Sequence, residues 1–325
     1  MNPRVAAPVI AVGMPVVLVA LALWYAGDRG VPRETAILLL PACLFEVAMY
    51  VLSGLQVVRE RLEEMRPATL ATVLTVTAPV SYLLYTVPAD SPRPTAVAVL
   101  IILVLAASCW FPLLGRHAAA DAGFLVLLAA PILLDVFGAV YPDVTPRVPM
   151  KMLGVVMWYR TGLISALVLR RMDGVGFGFV PLWSEWRIGL RNFALFLPGA
   201  LILADALDFA RRKQLVWDGR TLLIALVTFV GVLWVLAVAE EFFFRGLLQQ
   251  LLERVLGTRN GGLILASMLF GAAHLGYREF PNWKFALLAA LAGIFYGRAY
   301  LQARSIRASM VTHACVVTTW KTFLT

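Results

Sequence analysis

Residues 222–245 read LLIALVTFVGVLWVLAVAEEFFFR, and this stretch decides the class of the chain. Leu222 to Ala239 is an apolar run of spanning length, because a helix crosses the hydrocarbon core of a bilayer with roughly 20 residues. It ends on two adjacent carboxylates, Glu240 and Glu241, after which Phe242, Phe243 and Phe244 resume the apolar pattern before Arg245. A charged side chain at membrane depth costs about 2.5–3.5 kcal/mol on insertion scales, so such residues are functional-site candidates by default. Glu241 and Arg245 are four apart and share one helix face, where they can pair. Glu240 is turned about 100° away around the helix and lacks that partner, which leaves it free to act on water as a general base. The competing reading is a plain helix end whose charges meet headgroups; the phenylalanines and Gly246-Leu247-Leu248 that follow count against it.

Working outward, the 325 residues are 61% hydrophobic and 14% charged, with a mean hydropathy of +0.83. Soluble domains carry about 25% charged residues, so the composition is that of an all-α, polytopic transmembrane helix bundle. Apolar runs near 5–26, 35–58, 68–87, 95–114, 121–140, 150–169, 192–209, 221–243, 261–276, 284–301 and 307–324 predict about ten to eleven spans. Pro79 and Pro131 fall inside two of them, which is tolerated where neighbours re-satisfy the freed backbone groups. The run Val5 to Ala26 is too long for a cleavable signal and lacks a small-residue cleavage site, so it reads as a first span.

The net charge of +9 lies in short loops, and of 28 basic residues only four are lysines. Membrane lipids with anionic headgroups account for this better than nucleic acid, which is not expected as a partner. Basic residues divide almost evenly between alternate sides of the spans, so the positive-inside rule leaves orientation open. Cys43, Cys109 and Cys315 lie inside apolar segments without CxxC spacing and read as small buried thiols, not as a disulfide framework or metal cage.

The segment Arg59–Arg66, RERLEEMR, reads as a charged helical extension with a solvated face. In Arg170–Arg191, RRMDGVGFGFVPLWSEWRIGLR, Trp183 and Trp186 fit an interfacial belt, and a short amphipathic helix lying on the membrane is expected. The organisational break falls here: residues 1–171 form N-terminal helices with no legible chemistry, and 172–325 form the core that carries it. Glu46 and Asp135, isolated acids in apolar segments, are expected to be satisfied structural groups, and Asp205 and Asp208 to be interfacial.

Two histidines punctuate the helices after Glu240. His274 closes the run LILASMLFGAAH (263–274), with Phe270 one turn earlier on the same face, and His313 opens the last apolar segment after SIRASMVT. Gly293 and Gly297 form a small-xxx-small pair, a helix-packing signal. His117, in the loop RHAAAD, is assigned no role. Glu240, His274 and His313 come from three helices and would converge in a bundle core, which is how bundles build metal and water-activating sites. Two histidines and a glutamate also match a catalytic zinc ligand set with an open position. No HExxH is present, and metal-free glutamate catalysis is equally consistent with the residues. The cofactor reading is therefore none, or a divalent metal such as Zn held by Glu240, His274 and His313.

Taken in order, EExxxR (Glu240 to Arg245), FxxxH (Phe270 to His274) and a third-motif histidine (His313) resemble the CPBP family. That family comprises CAAX-prenyl-protease-like and bacteriocin-processing intramembrane proteases, with the eukaryotic Ras-converting enzyme as a relative. The resemblance covers roughly residues 180–325 and includes the FPNWK run at 280–284 and SIRASMVTHA before the last helix. It implies a helical membrane core around a water-filled cavity open toward the bilayer. The implied activity is endopeptidase cleavage of a peptide or protein substrate with an apolar or lipidated segment. It also implies that Glu240 activates water, that Glu241 and Arg245 support the site, and that His274 and His313 complete it; both glutamic and metallo types are described.

One position departs from the pattern. The family's third motif reads HxxxN or HxxxD, whereas here the fourth residue after His313 is Val317. The family's polar residue resembles an oxyanion-stabilising donor, a contribution worth a few kcal/mol, and valine donates nothing. Thr318, Thr319, Asn282 or a backbone N–H are the available substitutes. The reading is an intramembrane endopeptidase, with the arginine bias pointing to a bacterial plasma membrane. Its rivals are a non-catalytic immunity or scaffold protein in the same fold, motivated by Val317, and a transporter using Glu240 and the histidines as a proton relay.

Overall fold

The computed structural model describes residues 12, 13, 16, 17, 19–21, 23, 24, 26–28, 30–209 and 218–324, so the expected span 5–26 lies largely outside the described residues. Among these residues all regular structure is helical, and β contact is confined to isolated bridge positions such as the Thr145–Val148 pair. Among the described residues seven helices are long and apolar enough to cross a membrane by length and composition. The chain is thus a multi-pass helical membrane protein. It divides into two compact units, Met1–Met172 and Asp173–Thr325.

The first unit contains α1 (Arg33–Gly54), α2 (Gln56–Glu63), α3 (Pro67–Thr77), α4 (Val80–Thr86), α5 (Pro94–Leu114), α6 (Ala118–Leu133), α7 (Val136–Val140) and α8 (Lys151–Ile164), the last extended by a π-helical turn Ser165–Leu169. The expected span 121–140 is broken: Pro131 lies in the last turn of α6, and Asp135 takes a left-handed φ of 47° ahead of α7. Asp135 is therefore an exposed group at a helix break, 2.9 Å from Lys151, and not an acid inside a span. Glu46 is buried, and Arg160 reaches it from α8 at 2.8 Å with both side chains sealed from solvent. Arg160 also donates to the Thr77 carbonyl at 3.2 Å, beside the interruption at Pro79. Asp121 and Arg170 form a further pair at 2.8 Å.

The second unit is built from α9 (Trp183–Ala206), a continuous helical run Gly219–Leu256, α13 (Arg259–Ala272), α14 (Trp283–Ala303) and α15 (Ile306–Phe323). Within the run, α10 (Gly219–Gly231), α11 (Val238–Glu241) and α12 (Gln250–Leu256) are separated by π-helical segments Val232–Ala237 and Phe242–Gln249. The expected interfacial helix around Trp183 is instead the first turns of α9. Glu185 fixes that start by accepting from the Leu182 N–H at 2.7 Å and from Arg307 through three contacts of 2.8–3.1 Å. With its charges anchored, the apolar sequence that follows continues as one 24-residue helix. The expected span 261–276 ends at Ala272 after 14 residues.

Small residues let these helices approach closely. A Cβ on Gly189 of α9 would stand 2.6 Å from the Val311 Cβ of α15, and one on Gly271 of α13 would stand 2.5 Å from the Ala286 carbonyl of α14. Gly293 of the small-xxx-small pair faces Ser267 of α13 in the same manner, at 3.1 Å. Phe196, Phe270, Ala289, Ala292 and Tyr296 form the core these contacts enclose. His274 and His313 are held at the edge of that core.

Candidate active site

Glu240 and Glu241 occupy the four-residue α11, flanked on both sides by π-helical turns. Such turns are rare and recur at functional sites, because each widens the helix and re-aims the side chains that follow. The two acids meet different surroundings. Glu241 is fully buried, whereas the Glu240 side chain keeps 24% exposure, with its Oε2 buried and without a hydrogen-bond partner among the described residues.

Glu241 is held from two helices. Arg245 lies one turn on, its Nε 3.2 Å from Oε2. From α15, Ser309 donates its hydroxyl to Oε2, and His313 Nδ1 is 2.7 Å from Oε1. Ser309 and His313 are four apart on one helix face, so a single carboxylate clamps both. The Arg245 guanidinium is buried among the rings of Phe244, Phe270 and Tyr296, at 5.9, 5.2 and 5.8 Å from their centroids. Those aromatic faces add cation–π attraction to the ion pair.

A carboxylate can only accept, so His313 donates from Nδ1 and its Nε2 carries the lone pair in the neutral ring. That Nε2 faces Glu240 Oε2 at 3.8 Å. Tyr296 stacks on the imidazole, centroids 4.5 Å apart and planes within 13°, and fixes the ring. His274 follows the end of α13, where its Nδ1 lies 2.7 Å from the Phe270 carbonyl. The carbonyl again dictates the tautomer, leaving Nε2 as the free edge. Phe270 touches both imidazoles, at 4.6 and 6.1 Å, so the apolar partner of the FxxxH spacing is a shared wall of the site.

Glu240, His274 and His313 line one cavity of about 340 Å³, walled by Phe196, Phe285, Leu288, Tyr296, Trp320 and other largely apolar side chains. Val317 and Thr319 lie on its wall. Asn282, one substitute considered for the missing polar residue, is engaged elsewhere: it caps α14 through the Phe285 N–H at 3.1 Å and donates to the Tyr277 carbonyl at 2.9 Å. His117 lies in the first unit as the cap of α6.

The zinc ligand set does not fit this arrangement. Tetrahedral zinc with N and O ligands near 2.0–2.1 Å holds its donors roughly 3.3 Å apart. The closest approach of Glu240 and His313 is wider, at 3.8 Å. Among the described residues no group of three His, Cys, Asp or Glu side chains is arranged to hold a metal ion.

Ser309 and Tyr296 are parts of the site that motif reading left without a role. Ser309 had a usable signal, its four-residue spacing from His313; Tyr296, inside GIFYG, reads as ordinary core.

Residues 222–319 match the model of a family described as type II CAAX prenyl endopeptidase Rce1-like. The matched segment contains both glutamates, Arg245, both cavity histidines and Val317, and is similar to that family over this stretch. No curated protein and no solved structure matches the chain.

Proposed function

We propose that the chain is an intramembrane endopeptidase in which Glu240 activates a water molecule for attack on a peptide bond. The observation that carries this reading is the shared cavity. One partly exposed carboxylate and two imidazole edges meet in an apolar pocket, inside the segment that matches an endopeptidase family. Glu240 Oε2 is buried without a hydrogen-bond partner among the described residues and faces His313 Nε2 at 3.8 Å; on this reading one water held between them serves both. Both groups accept, so that water directs its two hydrogens at them and its lone pairs at the substrate carbonyl. Glu240 takes one proton as the C–O bond forms. It then returns the proton to the amide nitrogen as the C–N bond breaks, yielding a carboxylate and an amine. His274 Nε2 offers an acceptor that orients the scissile amide N–H.

Glu241, Ser309, Arg245 and Tyr296 act on the reaction through His313, by holding its tautomer and plane. The low-polarity walls strengthen these electrostatic contacts by keeping bulk water out. The apolar lining suits a substrate segment that is itself apolar or lipidated, and the arginine-rich composition suits a bacterial plasma membrane. The test is cleavage of lipidated and apolar peptides by purified protein in detergent, products identified by mass spectrometry. Wild type releases a new carboxyl terminus and Glu240→Gln does not; equal turnover by the two would end the proposal.

One observation favours a second reading, a non-catalytic immunity or scaffold protein that binds peptide in the same cavity. Val317 stands on the cavity wall where the resemblance expects a donor. On that reading peptide binds without product, and Val317→Asn creates cleavage where wild type has none.

A further inference from the structure

Helix α12 turns into α13 through Gly257 and Thr258. Gly257 takes a left-handed φ of 68°, and the Thr258 hydroxyl accepts from the Gly261 N–H at 3.1 Å. The Thr258 carbonyl takes the Gly262 N–H, so the Arg259 and Asn260 amides stand at the positive end of α13.

A second cavity of about 360 Å³ lies beside this turn and shares no lining residue with the first cavity. Arg254, Arg259 and Arg304 all line it, against one carboxylate, Glu253. Glu253 is engaged by Gln249 at 3.0 Å, and among the described residues no acid pairs with Arg259 or Arg304. Gln250 also lines the cavity, and its Nε2 is buried. Guanidinium groups, an amide donor and a hydroxyl converging on one space form an acceptor-seeking pocket, and guanidinium forks match phosphate oxygens.

Position in the fold narrows the ligand. The turn terminates a membrane-spanning run, where such basic pockets meet lipid headgroups. Beside it the apolar side chains of Val255, Leu256, Ile264 and Met268 are exposed by 46–63%. Ile264 and Met268 are four apart and share one face of α13.

We propose that this cavity binds the phosphate of an anionic phospholipid, with Arg254, Arg259 and Arg304 on the headgroup and the exposed α12–α13 face against its acyl chains. The site is independent of the peptidase reading.

The test is native mass spectrometry of the purified full-length protein in detergent, titrated with phosphatidylglycerol or phosphatidylcholine. Wild type should retain phosphatidylglycerol at least tenfold more tightly than phosphatidylcholine. Arg259→Ala with Arg304→Ala should weaken phosphatidylglycerol binding roughly 30-fold, about 1 kcal/mol per arginine taken twice. Arg61→Ala with Arg66→Ala, two exposed arginines of the first unit, should leave it unchanged. Equal losses in the two variants would mean diffuse surface charge and overturn the proposal. Displacement of the lipid by low millimolar inorganic phosphate would make a free anion the ligand and overturn it equally. Should the alanine pair fail to melt cooperatively, Arg259→Gln with Arg304→Gln keeps side-chain length and reads the same loss.

Discussion

Substituting Glu241 with glutamine keeps the volume of the side chain and removes its charge, and the surroundings set the consequence. The carboxylate now accepts from Ser309 and His313 and neutralises Arg245 at 3.2 Å, with all four side chains no more than 3% exposed. Glutamine offers one accepting oxygen in place of two, and its NH2 turns a donor toward one of three donors. Arg245 is left as a charge in the core with aromatic rings as its remaining partners. Removing one member of a buried pair costs about 3–5 kcal/mol, out of roughly 5–15 kcal/mol for a whole domain. Spread over a chain of this size, that loss lowers the melting temperature by roughly 5–15 °C. The assay is thermal unfolding in detergent followed by intrinsic tryptophan fluorescence, with nine tryptophans in the chain as reporters. A second variant isolates the cause: Glu241→Gln combined with Arg245→Met removes the orphaned charge and should recover most of the loss, since apolar replacement of a whole buried pair is often neutral. A melting temperature within 2 °C of wild type for Glu241→Gln alone would refute the reasoning, because Arg245 would then need no counter-charge.

Three further outcomes are expected. Ser309→Ala deletes a hydrogen bond to a charged acceptor, so stability should fall by about 1.5–3 kcal/mol; kcat should fall with it while KM holds, and Ser309→Thr should restore part of both. Glu46→Gln leaves Arg160 uncompensated in the first unit, so the melting temperature should drop as for Glu241→Gln, but the kcat of the folded fraction should stay within twofold of wild type. Val317→Asn places a donor on the cavity wall, and kcat should rise severalfold in the peptide assay; a fall would mean that the wall has no room for an amide or no oxyanion near it.

The parts of this molecule that are legible in its sequence are those where a rule is broken locally. Glu240, Glu241 and Arg245 stand out because ionised groups interrupt an apolar run, and the pairing of Glu241 with Arg245 follows from helical spacing alone. His274 and His313 stand out as the histidines that punctuate apolar helices. What is not legible depends on separation in sequence or on backbone detail. Arg160 meets Glu46 across 114 positions, and nothing local to either names the other. His313 takes its tautomer from Glu241 across 72 positions. The π-helical turns around α11 leave no compositional mark, yet they set the directions of Glu240 and Glu241. The amphipathic look of Trp183–Arg191 misleads because Glu185 is neutralised by Arg307, a partner on another helix. Metal fit is hidden for a related cause: residue types specify which donors exist, while the 3.8 Å gap between Glu240 and His313 depends on packing.

The central claim is that Glu240 and His313 act on the same water in one cavity, and a double-mutant cycle tests it most directly. Glu240→Gln alone should lower kcat by about 10²–10⁴-fold, the range of a lost general base, with its melting temperature unchanged. The combined Glu240→Gln, His313→Ala variant should be no slower than the slower single variant, because groups that act as a unit are lost once. Multiplication of the two single losses in the double variant would mean independent roles, and would contradict the shared site.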